Sequence, residues 1–337
     1  MRYFRYFLTI VLIVVAFSVV YLKFKNVYYD IPALLKEANK PILLFLVIFQ
    51  AVNYFGDAWL SKILLSVSGF GVGLKDTIKI AVLGVIGSHV APFLGGTIVT
   101  FHSYKKLNIP SAVISFLVFS WSLFIWFPYF FFFLISLILL PGLFFNFIFL
   151  QDILIMIPGL ILISAIFFFL FRKKGRYFTR FLNIFSKPIT KFAKFFYKKS
   201  LPKPKFFERF FSDFHQCFDL LLKSKNKIPA ALFSSLLFYI GDILTFYFAF
   251  LVFGFQPNLI LLIFGYTISL VLTVFTIIPG TPGVLEASLI MVFIKLGFPA
   301  HVVFFSALLF RFFSYWLPLP IGVFFYWKLK RGKYEAE

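Results

Sequence analysis

The chain has 337 residues, of which 61% are hydrophobic and 13% charged, and its formal net charge at pH 7 is +21. That profile excludes a soluble globular domain and indicates an all-α, polytopic helical membrane protein, with several segments exceeding the ~18 apolar residues that cross a bilayer. One cysteine, Cys217, excludes an internal disulfide framework and a cysteine metal cluster, and the excess of Phe, 56 in all, reads mostly as lipid-facing apolar filler.

In chain order, the first apolar run covers about 6–22, behind Arg2 and Arg5. Lys23 and Lys25 follow it without a small-residue cleavage site, so it reads as a retained helix, not a signal peptide. The next candidates are about 41–60, 77–101, 111–140 and 153–171. "GFGVG" at Gly69–Gly73 lacks the Gly-Lys-Ser/Thr of a phosphate loop and reads as a connection. From Arg172 to Lys227, 16 Lys and Arg stand against Glu208, Asp213 and Asp219, a net of +13. Phe at helical spacing interleaves those charges, which suits amphipathic helices at an anionic cytoplasmic membrane surface. A long loop that only follows the positive-inside rule is the plainer alternative, and the bilayer explains the Phe better than nucleic acid does. The last candidates are about 228–253, 259–279, 285–296 and 300–327.

Not all of these can be full spans. With the N-terminus and the basic loop both cytoplasmic, an even number of crossings must separate them, and counting 77–101 as one gives five. A hairpin that dips in and returns at "HVAPFLGGT", around Pro92, Gly95 and Gly96, restores the balance and puts Lys62, Lys75, Lys79, Lys105 and Lys106 on or near the cytoplasmic side. The same treatment of 259–296, broken at "PGTPG", puts the C-terminal "KLKRGK" inside. The expectation is six full spans plus two re-entrant broken hairpins in one membrane domain. The alternative keeps 77–101 as a span and splits the uncharged 107–151 run in two.

The chain also repeats itself. "YFGD" ends at Asp57 and "YIGD" at Asp242, and twelve residues after each comes Gly-Phe. The breakers at Pro92 and Pro279 follow, then "LNIPSAV" (Leu107–Val113) and "LGFPAHV" (Leu296–Val302). The separations Asp57 to Pro110 (53) and Asp242 to Pro299 (57) differ by four. Repeat one covers about 41–140 and repeat two about 228–327. In this topology they are inverted, an architecture of alternating-access transporters whose sites lie where broken helices meet.

Lipid penalises unpaired backbone and buried charge, so intramembrane ionisable groups matter. In "TIIPGTPGVLEASL", Pro279, Pro282 and Gly283 interrupt the helix and Glu286 follows. Irregular backbone at that depth suits a cavity, and amides freed near Gly283 would bind an anion; a kinked packing helix is the bland alternative. Arg311 lies mid-segment and would pair with Glu286. Asp57 and Asp242 occupy equivalent places, where a solvated interfacial position is as reasonable as a functional one. His89 and His102 flank the first breaker, with packing roles the commoner outcome. Tyr315, Trp316 and the Tyr and Trp near helix ends read as belt anchors. There is no HExxH and no nucleophile elbow, and no cofactor or metal is called for.

"IIPGTPGVLEASL" followed by "LLFRFFSYWLPLPIGVFFY" resembles the membrane domain of lysylphosphatidylglycerol synthases and their stand-alone, flippase-like relatives. The matching residues are Pro279, Gly280, Pro282, Gly283, Glu286 and Ala287, then Arg311, Tyr315, Trp316, Pro318 and Gly322. "DAWLSKILLSVSG" from Asp57 is similar to the family's second helix. The likeness departs in the first half, where Thr97 and Thr100 stand at the family's charged positions and "VISFLVFSWSLF" holds no basic residue. The resemblance implies lipid translocation between leaflets and not the synthase activity.

The first reading is therefore a translocase, not an enzyme, for membrane lipids with anionic or polyprenyl-linked headgroups. Glu286, Arg311 and Gly283 would bind or gate, and nucleic acid would be no partner. The others are a lipid-modifying enzyme with Glu286 as base, which the shortage of further polar groups disfavours, and a non-catalytic partner of a membrane or cytoplasmic transferase.

Overall fold

The computed structural model describes residues 39–90, 95–140, 204–274 and 283–331. All regular structure among them is helical. Repeat one supplies α1 (Leu43–Val67), α2 (Leu74–Val90), α3 (Gly95–Lys106) and α4 (Ser111–Leu139). α5 (Pro204–Lys223) precedes repeat two, which supplies α6 (Lys227–Val252), α7 (Leu259–Val274), α8 (Val284–Lys295), α9 (Ala300–Arg311) and α10 (Pro318–Arg331). Among the described residues four stretches are long and apolar enough to cross a bilayer: Lys40–Val67, Ser111–Leu139, Lys227–Val252 and Ala300–Phe325. The expected helices at 6–22 and 153–171, and the basic stretch before Pro204, lie outside the described residues.

The repeat is visible in how the helices stop. After α1, Gly69 takes φ 85° and Phe70 N–H bonds back to Leu65 O at 2.9 Å. After α6, Gly254 takes φ 71° and Phe255 N–H bonds to Phe250 O at 3.2 Å. Both are left-handed caps of the Schellman type, in which a residue without a Cβ penalty turns the chain and the next amide reaches five residues back. The second pair of matches behaves alike. Ile109 N–H reaches Tyr104 O past Asn108, and Phe298 N–H reaches Phe293 O past Gly297. Pro110 and Pro299 then open the long helices in extended conformation. The "GF" and "L-x-x-P" likenesses are thus the same stop and start signals used twice.

α1 and α6 form the centre and run antiparallel, as their partners show: Phe45 meets Phe248, Asn53 meets Phe238, and Trp59 meets Phe233. Two glycines let the backbones touch. A Cβ on Gly56 would lie 2.5 Å from Phe238 N, and one on Gly241 would lie 2.6 Å from Phe49 O. Small residues at a helix crossing are the usual device for close approach in lipid, where hydrophobic burial gives little drive between helices. Ser234 Oγ and Asn53 Nδ2 add hydrogen bonds across the crossing, to Gly56 O at 2.8 Å and Phe238 O at 2.9 Å.

The segment 77–101 is not one helix. α2 and α3 lie against each other as a hairpin, with Gly87 packed on Gly95 and Gly84 beside Thr100 and Gly96. α7 and α8 make the matching hairpin, where Phe293 and Leu296 fill the space beside Gly265. Each hairpin is clasped by the other repeat. α4 packs along α7, where Phe133 stacks on Phe264, and α10 packs along α2, where Gly322 sits against Ile86 and Val82.

Two expectations need correction. The 300–327 helix is interrupted: α9 ends at Arg311, a π turn covers Phe312–Trp316, and α10 resumes at Pro318. Leu317 N–H bonds to Phe312 O at 2.8 Å, five residues back, and Pro318 has no amide to offer Ser314 O. Phe is also more than lipid-facing filler. Phe116, Phe246, Phe250, Phe264, Phe293 and Phe310 are 0–1% exposed and build the core, whereas Phe127 and Phe324 stand outward. Close packing, not burial from water, is what aromatic rings contribute inside a membrane fold. α5 adds an amphipathic helix whose Phe214 and Phe218 dock edge-on against Phe116 of α4.

Candidate functional site: a polar cavity between the repeats

The antiparallel crossing sets Asp57 and Asp242 one residue past the contact glycines, and both line one cavity of about 430 Å³. The cavity takes wall residues from α1, α2, α3 and α4 of repeat one and from α6, α7, α8, α9 and the π turn of repeat two. Asp57 and Asp242 therefore both face a cavity inside the fold. Asp57 Oδ1 accepts the Trp121 indole N–H at 2.5 Å. Asp242 Oδ2 accepts the Tyr129 hydroxyl at 2.6 Å and the Tyr266 hydroxyl as well. Neutral donors hold both carboxylates in place, and among the described residues neither is in an ion pair.

Arg311, the last residue of α9, lines the same cavity. Its Nε donates to Glu286 Oε1 at 2.7 Å, with side chains 14% and 13% exposed. The guanidinium lies 4.4 Å from the Tyr315 ring centre, within cation–π range. The other carboxylate oxygen of Glu286 accepts the Gly283 N–H at 2.8 Å. Gly283 has φ 97°, a left-handed turn into α8, and Glu286 closes back on that turn as the helix's own cap. The expected pairing of Glu286 with Arg311 is present. The expected free amide at Gly283 is not: Glu286 occupies it.

The first hairpin contributes Gly96, Thr97 and Thr100 to the wall. Gly95 packs on α2 instead, since a Cβ on Gly87 would meet Gly95 O at 2.2 Å. Pro92, Pro279 and Pro282 lie outside the described residues. His102 is exposed, away from the cavity wall. Among the described residues no group of three His, Cys, Asp or Glu is placed to hold a metal ion.

Reading the sequence missed the donors. Tyr54, Trp121 and Tyr266 line the cavity, and Tyr129 donates to Asp242. A signal existed for Trp121, which stands eleven residues after Pro110 as Arg311 stands twelve after Pro299. Tyr54 OH donates to Ser314 O at 3.2 Å, the carbonyl that Pro318 leaves without a helical partner. That bond joins α1 of repeat one to the π turn of repeat two. Gln50 and Asn53, three residues apart on α1, complete the polar wall.

A helical membrane fold whose antiparallel central helices α1 and α6 meet at a cavity lined by Asp57, Asp242 and Arg311 defines the class. More particularly, the chain belongs to the lysylphosphatidylglycerol synthase TM region family, which matches residues 7–322. It is a membrane protein of lipid metabolism or translocation. Comparison with curated proteins gives no match.

Proposed function

We propose that the protein is a lipid translocase, not an enzyme. The observation that carries this is the cavity: its charged groups, Asp57, Asp242 and Arg311, come from both repeats and meet where the antiparallel helices cross. A headgroup would occupy the cavity while its tails stay in the bilayer, and the two hairpins would act as re-entrant elements entering from opposite faces. Arg311 and Glu286 would hold the second hairpin in register with the cavity wall.

A membrane enzyme with Glu286 as its base is less well supported. A general base needs a carboxylate oxygen available to the reacting proton, and both oxygens of Glu286 are occupied, one by Arg311 and one by Gly283 N–H. We further take the N-terminus, the C-terminus and the basic 172–227 stretch to be cytoplasmic in the cell membrane, on the charge bias of the chain.

The test is leaflet exchange of labelled lipids in proteoliposomes holding only this protein, beside Asp242→Asn. Exchange that depends on protein and falls in the variant is the expected result. Absence of exchange for every lipid offered, with protein that remains folded, would overturn the reading.

A further inference from the structure

We propose that the cavity recognises an uncharged, polyhydroxylated headgroup, a glycosyl lipid; this rests on the translocation reading above and specifies its substrate class. The chemistry of the wall carries it. Arg311 is the one cationic side chain among the described residues lining the cavity, and Glu286 already holds it at 2.7 Å. A phosphate on the guanidinium nitrogens that Glu286 leaves open would share the cavity with the carboxylates of Asp57 and Asp242. The wall therefore disfavours an anionic headgroup.

An ammonium headgroup would find the carboxylates but would use acceptors only. The wall offers donors and acceptors together. Gln50 and Asn53 present carboxamides, and Thr97 and Thr100 present hydroxyls from the first hairpin. Sugar hydroxyls both donate and accept, so they match planar carboxamides, carboxylates and hydroxyls at once. Gln50 is the clearest sign of a missing partner. It is 6% exposed and lines the cavity, and its Oε1, which has almost no accessible surface, lacks a hydrogen-bond partner among the described residues, so a rotation of the carboxamide would bring it to a ligand. A buried acceptor left unpaired is costly unless a ligand or water completes it.

The carboxylates fit the same reading. Among the described residues Asp57 is hydrogen-bonded through Oδ1 and Asp242 through Oδ2, which leaves the second oxygen of each for a ligand hydroxyl. Trp121 lines the cavity beside Asp57 and supplies the aromatic surface on which the apolar C–H side of a pyranose rests. The volume of about 430 Å³ lies within the usual range for small-ligand sites, sufficient for a monosaccharide. Thr97 and Thr100 thus have a use that a charged pair would defeat: they keep the first hairpin hydroxylic.

The experiment uses the full chain in phosphatidylcholine nanodiscs, followed by tryptophan emission. It is titrated with three short-chain lipids of matched tails: a monoglucosyl diacylglycerol, a phosphatidylglycerol and an aminoacylated phosphatidylglycerol. Saturable binding of the glucosyl lipid, at least about tenfold tighter than either other lipid and weakened about tenfold by Gln50→Leu, is expected. Because Gln50→Leu could also perturb packing, Thr97→Val and Thr100→Val are measured in parallel, and either should weaken the glucosyl lipid selectively. Equal or tighter binding of the anionic or the aminoacylated lipid overturns the proposal, as does unchanged glucosyl binding across all three variants. Leaflet exchange of the same labelled lipids reports separately on translocation: a glucosyl lipid that binds but never crosses defeats the transport reading and leaves the site assignment standing.

Discussion

Removing one partner of the Glu286–Arg311 pair leaves a charge stranded in a nearly dry place, whereas removing both does not. The two side chains are 14% and 13% exposed and meet at 2.7 Å. Breaking a buried pair from one side costs about 3–5 kcal/mol, while replacing both partners is often close to neutral. The residual exposure, and the cation–π contact that Arg311 keeps with Tyr315, bring the expected single-variant cost to about 2–3 kcal/mol. Glu286→Gln is the milder of the two, because a carboxamide oxygen can still accept the Gly283 amide. Arg311→Met keeps the apolar stem and removes only the charged fork. The assay is reversible unfolding by SDS in mixed micelles, run as a double-mutant cycle. A coupling of about 2 kcal/mol is expected, with the double variant more stable than the two single costs would predict. Costs that add to within about 0.5 kcal/mol would refute the claim that this pair fastens the second hairpin to α9.

Gly241→Ala is expected to destabilise the protein by at least about 2 kcal/mol in the same assay, because the new Cβ would meet backbone and could not be accommodated by a rotamer change. The contacts are Asn53 N and Phe49 O, both at 2.6 Å. Tyr54→Phe removes the hydroxyl that caps Ser314 O and should cost about 1 kcal/mol, visible as faster amide exchange in Phe312–Trp316.

Helices with a local signal were legible before any coordinates. Asp57–Gly69 and Asp242–Gly254 were recognisable as equivalents because the caps are written in single residues, a Gly and the Phe after it. The hairpins were legible through Pro and Gly clusters and through charge balance across the membrane. The Glu286–Arg311 pairing followed from the cost of leaving either alone in an apolar segment. The rest depends on contacts distant in sequence. Trp121 and Asp57 are 64 residues apart, and Tyr129 and Asp242 are 113 apart. No helical periodicity marks such partners, and in a chain with 56 Phe and 16 Tyr one aromatic donor looks like any other. The π turn was hidden for a different reason. Pro318 announces a break, but only the chain's packing decides whether the freed carbonyl meets water, a kink or Tyr54.

The hydrogen bonds around the cavity fall into two sets. Trp121 to Asp57 lies within repeat one, and Tyr266 to Asp242 and Arg311 to Glu286 lie within repeat two. Tyr129 to Asp242, Tyr54 to Ser314 and Asn53 to Phe238 cross between the repeats. A motion that parts the repeats to pass a headgroup must break the second set and can leave the first intact. Tyr129 and Tyr266 make the distinction testable, because both donate to the same carboxylate oxygen and both are nearly buried, at 3% and 1% exposure. Tyr129→Phe and Tyr266→Phe should therefore cost similar stability, about 1 kcal/mol each. Their effects on leaflet exchange should diverge: Tyr129→Phe loosens the contact between repeats and changes the rate several-fold, whereas Tyr266→Phe leaves it within about twofold. Equal rates at equal stability would mean that the repeats do not separate along this seam, and that any passage of lipid uses another surface of the fold.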